Sequence, residues 1–213
     1  MSARFSDEEF ARLKDLLPMY DWSMQIALTK FKILQQDHII VHNRNPIEHT
    51  KARIKSPLAI AHKLQKLNLE ITADSAKKNL RDISGIRMIC PFAKDIYYLV
   101  DIIKLIPGFT VVEEEDYIAN PKPSGYRSFH LIVHVPVYHS GTTDEVPVEI
   151  QLRTAAMDFW ATIEHQVRYK FKEHIPQHLS DELVICADKI AELDKRMLQI
   201  HEIIALTTLE EST

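Results

Sequence analysis

Cysteine and glycine are scarce in this chain, and each shortage rules something out. Two cysteines occur in 213 residues, Cys90 and Cys186, far apart and among apolar neighbours. A disulfide framework is excluded, and buried thiols in a reducing compartment are expected, so the location is read as cytoplasmic. Only four glycines are present, and G-x-x-x-x-G-K-[ST] does not occur, which excludes a P-loop enzyme. The G-x-S-x-G elbow is also missing, and neither cysteine has an activating base nearby. No segment approaches the ~20 apolar residues of a membrane span. The opening MSARFSDEEF has no apolar stretch after its arginine and does not read as a secretory signal. The formal net charge of −4 argues against a general nucleic-acid binder, and RNA is not indicated as a partner. His38/His42 and His174/His178 have i,i+4 spacing, but no third ligand stands nearby and Pro176 breaks the second pair, so no zinc site is expected.

What is present suits one sizeable domain with helical additions. Hydrophobic residues make up 46% of the chain, enough for a real core. SDEEFARLKDLL opens with Ser6 as N-cap and a Glu three positions on, a capping box. Trp22, Ile26, Phe31, Leu34 and Ile39 continue at near-helical spacing to about His42. NRNPIEHTKARIKSP breaks that pattern, and Ser56-Pro57 starts a new helix running to about Leu67. Ile86 to Phe92 reads as a strand, AKDIYYLVDIIKLI as an amphipathic helix ended by Pro107-Gly108, and FTVVEEEDYI as a strand entering an acidic turn. Arg127 to Val137 and VPVEIQLRT are strands separated by a turn, HSGTTDE, that takes in Asp144 and Glu145. Two helices finish the chain, the last capped by Ser180. The order predicts an α/β or α+β domain: a mixed sheet of three or four strands flanked by N- and C-terminal helices. Expected boundaries are N-terminal helices over 1–45, a catalytic domain over 46–175, and a C-terminal helix over 176–213. In that helix Ile190, Leu193, Met197, Ile200 and Ile204 step by three and four, a seam that serves either assembly or its own core.

Strand parity supplies the sharpest clue. In VEIQLRT, Val148, Ile150 and Leu152 point one way, while Glu149, Gln151 and Arg153 point the other. Such a polar face borders either solvent or a cleft. In the preceding strand Ser128, His130 and His134 share a face, opposite Arg127, Phe129, Leu131 and Val133. If the two strands are neighbours, His130 meets Glu149 and Gln151. Asp82 precedes another strand, with Gly85 permitting close approach. Asp82 is either a cap or ion-pair partner of Arg81 or Arg87, or one of two carboxylates holding Mg²⁺, an ion that needs few protein oxygens.

Cations gather around these acids. Lys51, Arg53 and Lys55 alternate, and Lys63 lies two turns along the following helix. With Arg81, Arg87, Lys122 and Arg127 they form either a solvated basic face or a polyphosphate site. Tyr126, behind Gly125, is expected as an exposed ring that stacks on a base, or as a ring packed under its own loop.

RIKSP, RDISGIRMIC, DYIANPKPSGYRSFHLIV and VEIQLRTAAMDFWATIEHQVRYK occur in this order. Together they resemble the synthetase domain of the RelA/SpoT family, over about residues 46 to 175. The length and flanking helices look like a stand-alone small alarmone synthetase, of the RelP rather than the RelQ type. No His-Asp dipeptide occurs, so the hydrolase half of the long family members is absent. The resemblance implies a nucleotidyltransferase-like pyrophosphokinase of the stringent response. It would move the β,γ-diphosphate of ATP to the 3′-hydroxyl of GDP or GTP, releasing AMP and making (p)ppGpp. Carried over by motif, Asp82 and Glu149 hold Mg²⁺, and Glu149 helps deprotonate the 3′-hydroxyl. Arg53 and Arg87 sandwich adenine; Lys55 and Lys63 bind the ATP phosphates, with Ser56 at the same site. Tyr126 stacks on guanine, and Lys122, Arg127 and His130 line the acceptor, with Gln151 nearby. The family also implies a homotetramer. Glu113, Glu114 and Glu115 stand where relatives often place a basic residue, which bears on acceptor preference. The alternative is a catalytically silent nucleotide- or RNA-binding regulator of the same fold.

Overall fold

The computed structural model describes residues 7–171 and 174–210; the Ser6 cap lies outside them. In chain order the elements are α1 (Asp7–His42), β1 (His49–Ile54), α2 (Pro57–Lys66), α3 (Ala73–Asn79), β2 (Ser84–Cys90) and α4 (Ala93–Lys104). They continue with β3 (Thr110–Asp116), β4 (Phe129–His139), β5 (Thr142–Thr154), α5 (Ala155–Lys170) and α6 (Gln177–Glu210). The strands form one mixed sheet in the order β1-β2-β5-β4-β3. Only the β2–β5 pair is parallel; the other three are antiparallel. The class is therefore α+β, as the sequence implied.

One face of the sheet carries the main core. Ile86 and Met88 of β2, Leu131 and Val133 of β4, and Val148, Ile150 and Leu152 of β5 are buried there. Helix α4 covers them with Ile96, Leu99, Val100 and Ile103, the i, i+3, i+4, i+7 stripe of an amphipathic helix. Each such side chain contributes ~1.5–3 kcal/mol by leaving water. Helix α1 adds Met24, Ala27 and Phe31 to this core. Its first half supplies Leu13, Leu16 and Tyr20 to a second cluster with Ile60, Leu64, Leu80 and Ile83. The N-terminal helix thus belongs to the body of the fold, although its sequence stands outside the matched motifs.

Several local expectations are corrected. The sheet has five strands, not three or four, because the stretch read as a break contains β1. Its alternating cations hid a strand whose residues are mostly exposed. The polar stretch after α2 holds a further helix, α3, capped by Thr72 Oγ1 accepting from Ser75 N. Asp144 and Glu145 lie in β5, opposite Val137 and Pro136, rather than in a turn. The β4–β5 hairpin turns on Ser140 and Gly141 alone, with φ of 47° and 82°, the double left-handed geometry that suits the twist of a two-residue hairpin. Helix α6 begins at Gln177, so Ser180 lies inside it, its N–H donating to Pro176 O at 3.1 Å. Ser56 does cap α2, accepting from Ala59 N at 3.2 Å.

Candidate active site

The opposite face of the sheet is polar, and strand register arranges it in two rungs. One rung runs Arg53, Gly85, Glu149, Ile132; the next runs Lys51, Arg87, Gln151, His130, Glu115. The parity reading of β5 is thereby met across four neighbouring strands. Gly85 leaves open the space in front of Glu149. A cavity of about 210 Å³ opens there, lined by Lys51, Arg53, Gly85, Arg87, Glu149 and Gln151 among others. A larger cavity of about 310 Å³ between α1, α3 and β5 is not lined by Glu149, and the chemistry of the residues favours the smaller one, which holds Glu149 between two arginines.

Asp82 stands just before β2 at the rim of this face. Its Oδ2 accepts from Lys55 Nζ and from Lys63 Nζ, each at 2.6 Å. Burial pushes its carboxyl up, but the two ammonium groups outweigh that, and its pKa lies below the ordinary carboxylate value. The Asp82 Oδ1 atom is buried with no hydrogen-bond partner. Lys55 is itself pushed down by burial, with Asp82 opposing the shift. Of the two alternatives for Asp82, the ion pair is therefore real, but its partners are Lys55 and Lys63 rather than Arg81 or Arg87.

Glu149 is the second acid. Its Oε2 accepts from Gln151 Nε2 at 3.0 Å, and its Oε1 lies 3.8 Å from His130 Nδ1. Burial, then the nearby Asp82 charge, push its pKa above the ordinary value. His130 is driven down to about 3 by burial and by Arg153, Lys122 and Arg87. It is therefore neutral near pH 7, and its contact with Glu149 is not an ion pair. Arg153 Nη2 donates to Tyr126 Oη at 2.7 Å, and Tyr126 Oη lies 2.7 Å from His130 Nε2. Letting the Tyr126 hydroxyl donate to Nε2 leaves the imidazole proton on Nδ1, facing Glu149.

The acceptor-loop residues divide. Of the two readings of Tyr126, an exposed ring or one packed under its loop, the structure lies between: the ring is half-buried and tethered through its hydroxyl. Lys122 Nζ sits 4.1 Å from the centre of the Tyr117 ring and 5.5 Å from that of Tyr126. Arg127 turns away from His130, as strand parity requires. Its Nη2 donates to Asp188 of α6 at 2.9 Å. Ser128 shares His130's parity, yet its hydroxyl is fully buried and donates to Leu152 O at 3.1 Å. Ser56 spends its hydroxyl oxygen on the α2 cap. The fold therefore gathers Arg53, Lys55, Lys63, Asp82, Arg87, His130, Glu149 and Gln151 on one face, with Tyr126 and Lys122 at its edge. Arg127 is left outside.

Two residues of the same network were not singled out as site residues. Arg153, only 5% exposed, showed the right parity but read as one more cation. Asp158 accepts from Arg87 and Arg153 on a single oxygen, at 3.1 and 3.0 Å. Nothing local marks it, because its role depends on how the first turn of α5 lies against the sheet.

Among the described residues no cluster of three or more His, Cys, Asp or Glu side chains suits a metal. Two carboxylates suffice for Mg²⁺, which keeps most of its shell as water and substrate oxygens. The bare, buried Asp82 Oδ1 beside a second acid fits that ion.

Comparison with known proteins accounts for these features together. The family model for a region found in RelA/SpoT proteins matches residues 52–174, more than half of the chain. The GTP pyrophosphokinase YwaC of Bacillus subtilis is 43% identical over 89% of this chain and 90% of its own. The solved small alarmone synthetase 2 of Bacillus subtilis superposes with a TM-score of 0.79 at 40% identity, covering 89% of this chain and 97% of that one. The small alarmone synthetase 1 of the same organism, bound to its product pppGpp, superposes with a TM-score of 0.84 at 33% identity, covering 90% and 97%. A family model over more than half of the chain and a relative 43% identical over nearly its whole length make this chain a member of the RelA/SpoT family.

Proposed function

We propose that this protein is a (p)ppGpp synthetase, a GTP/GDP diphosphokinase that transfers the β,γ-diphosphate of ATP to the 3′-hydroxyl of GDP or GTP. The observation that carries the reading is a cavity holding Glu149 between Arg53 and Arg87, with Asp82, gripped by Lys55 and Lys63, near enough for its charge to act on Glu149. The 3′-oxygen attacks the β-phosphorus of ATP. The bond from that phosphorus to the α,β-bridging oxygen breaks, AMP leaves, and the hydroxyl proton passes to Glu149. A carboxyl raised by burial is a better base than an ordinary one, and Gln151 fixes its orientation. Neutral His130 adds no positive charge beside Glu149.

The remaining work is positioning and charge neutralisation, which dominate phosphoryl-type transfers. Lys55 and Lys63 hold the ATP phosphates; the exposed Arg53 and the half-buried Arg87 flank adenine. Tyr126 and Lys122 face guanine and the acceptor's phosphates. Mg²⁺ bound by Asp82 and Glu149 would neutralise charge on the transferred group. The alternative of a silent regulator has no particular support, since the relatives named above are pyrophosphokinases and alarmone synthetases.

Assembly as a homotetramer belongs to the same proposal. Leu193, Met197, Ile200 and Ile204 on α6 are at least half exposed, whereas Ile190 of the same seam packs beside Trp160. Light scattering is expected to give four times the chain mass, and a monomer mass would remove that part. For the activity, γ-labelled ATP is mixed with GDP, GTP or GMP. Labelled tetra- or pentaphosphate supports the reading; no turnover with any acceptor ends it.

A further inference from the structure

Asp158 has no part in the transfer described above, yet it lies between the two nucleotide regions. On the donor side its Oδ1 accepts from Arg87 Nη1 at 3.1 Å, and Lys51 Nζ is 3.9 Å from its Oδ2. On the acceptor side the same Oδ1 accepts from Arg153 Nη1 at 3.0 Å. The site is enclosed: Asp158 is 8% exposed and Arg153 5%. The two guanidinium groups repel across this gap, and the shared carboxylate compensates them.

From Arg153 hydrogen bonds lead to Glu149. The connected route passes through Gln151, which accepts from Arg153 Nη2 at 3.1 Å and donates to Glu149 Oε2 at 3.0 Å. A second passes through Tyr126 to His130, whose Nδ1 stops 3.8 Å from Oε1, outside hydrogen-bond reach. Asp158 itself is held at the first turn of α5, whose N-cap Thr154 is fixed by accepting from Met157 N and donating to Asp194 of α6.

We propose that Asp158 is a positioning residue that couples the donor and acceptor sites, by sharing one carboxylate oxygen between Arg87 and Arg153. The inference rests on the assignment of Arg87 to adenine. Stacking on the base uses the face of the Arg87 guanidinium and leaves its in-plane bond to Asp158 Oδ1 in place. Adenine thus fixes Arg87, Arg87 fixes the shared carboxylate, and the carboxylate holds Arg153 in the orientation that bonds Tyr126 and Gln151. Donor binding therefore raises acceptor affinity, and reciprocity requires the converse.

The test is a calorimetric titration of GDP into the full chain, with and without saturating α,β-methylene-ATP and magnesium. The wild type is expected to bind GDP at least about fivefold tighter with the analogue present, the lower end of ordinary allosteric coupling. Asp158→Asn is expected to bring that ratio to within about twofold of unity, and Asp158→Glu to restore part of it. Arg153→Lys keeps the charge beside Asp158 but loses the fork to Tyr126 and Gln151, so it also breaks the coupling and serves if Asp158→Asn does not fold. Wild-type coupling surviving in either folded variant, or a ratio of one in the wild type, overturns the proposal. Turnover of ATP and GDP by the wild type is measured alongside. Turnover without coupling removes this inference alone, whereas no turnover removes the enzymatic reading.

Discussion

Gly85 of β2 pairs with Glu149 of β5, and a Cβ on Gly85 would stand 3.7 Å from Glu149 Oε2. That is ordinary contact distance, so the glycine is not needed for folding. It is needed for the space in front of the acid. Gly85→Ala is expected to melt within a few degrees of wild type with a modest loss of turnover. Gly85→Val is expected to keep the fold and lose turnover by about 10²-fold, the cost of misplacing a reacting group. Thermal melts with labelled-ATP assays check both, and an active Gly85→Val would show that the cavity is not where the chemistry occurs.

Glu149→Gln removes the base and is expected to lower turnover by about 10²–10⁴-fold. Its stability should move the other way. The folded-state pKa of Glu149 is raised, so ionising it in the folded protein is unfavourable at neutral and higher pH. The neutral isostere escapes that cost. The variant should therefore melt at or above the wild-type temperature at pH 8, with the gap closing as the pH falls through the raised pKa. A lower melting temperature at pH 8 would contradict this account.

His130 gives the opposite sign. Its folded pKa, about 3, lies far below the ordinary 6.5, so the unfolded chain binds the proton more readily. Its contribution is fully present above pH 6.5 and is lost as the pH falls from there towards 3. Between pH 6.5 and 5 that loss amounts to about 2 kcal/mol. Urea unfolding of wild type and His130→Asn across this range should show the mutant less acid-sensitive by roughly that amount; equal slopes would mean the imidazole is accessible to protons.

Asp82 gives a metal-dependent prediction. Chelation is expected to abolish turnover and Mg²⁺ to restore it. Asp82→Asn should raise the Mg²⁺ concentration for half-activation by at least about tenfold. A magnesium titration of both proteins checks this, and an unchanged midpoint would exclude Asp82 as a ligand.

Arg127 distinguishes a latch from a ligand contact. If its purpose is the bond to Asp188, Arg127→Ala and Asp188→Ala should raise the acceptor KM to similar extents, and the double variant should be no worse than either single. If Arg127 instead bound phosphate, only its own removal would hurt. Acceptor KM measured for the three variants decides the matter.

Much of the site was readable because β structure converts sequence into direction. Alternation in VEIQLRT put Glu149 and Gln151 on one face, and register then brought them beside Gly85, Arg87 and His130. The same alternation in KARIK was legible as extended chain, yet not as β1, because an exposed edge strand lacks the apolar half of the pattern. Asp158 and Arg153 were missed as site residues for a different reason. Their partners lie on other elements, and no spacing within one segment encodes the docking of a helix on a sheet.

The sequence by itself determined the candidate acids and cations, the parity of β4 and β5, and the family to which these motifs belong, since each is a property of contiguous segments. Tertiary structure alone decided which ammonium groups hold Asp82, that His130 is neutral, that Tyr126 is tethered, and that Arg127 pairs with Asp188 of α6. Those outcomes depend on burial and on charges brought close from distant parts of the chain, and both arise only when the elements pack.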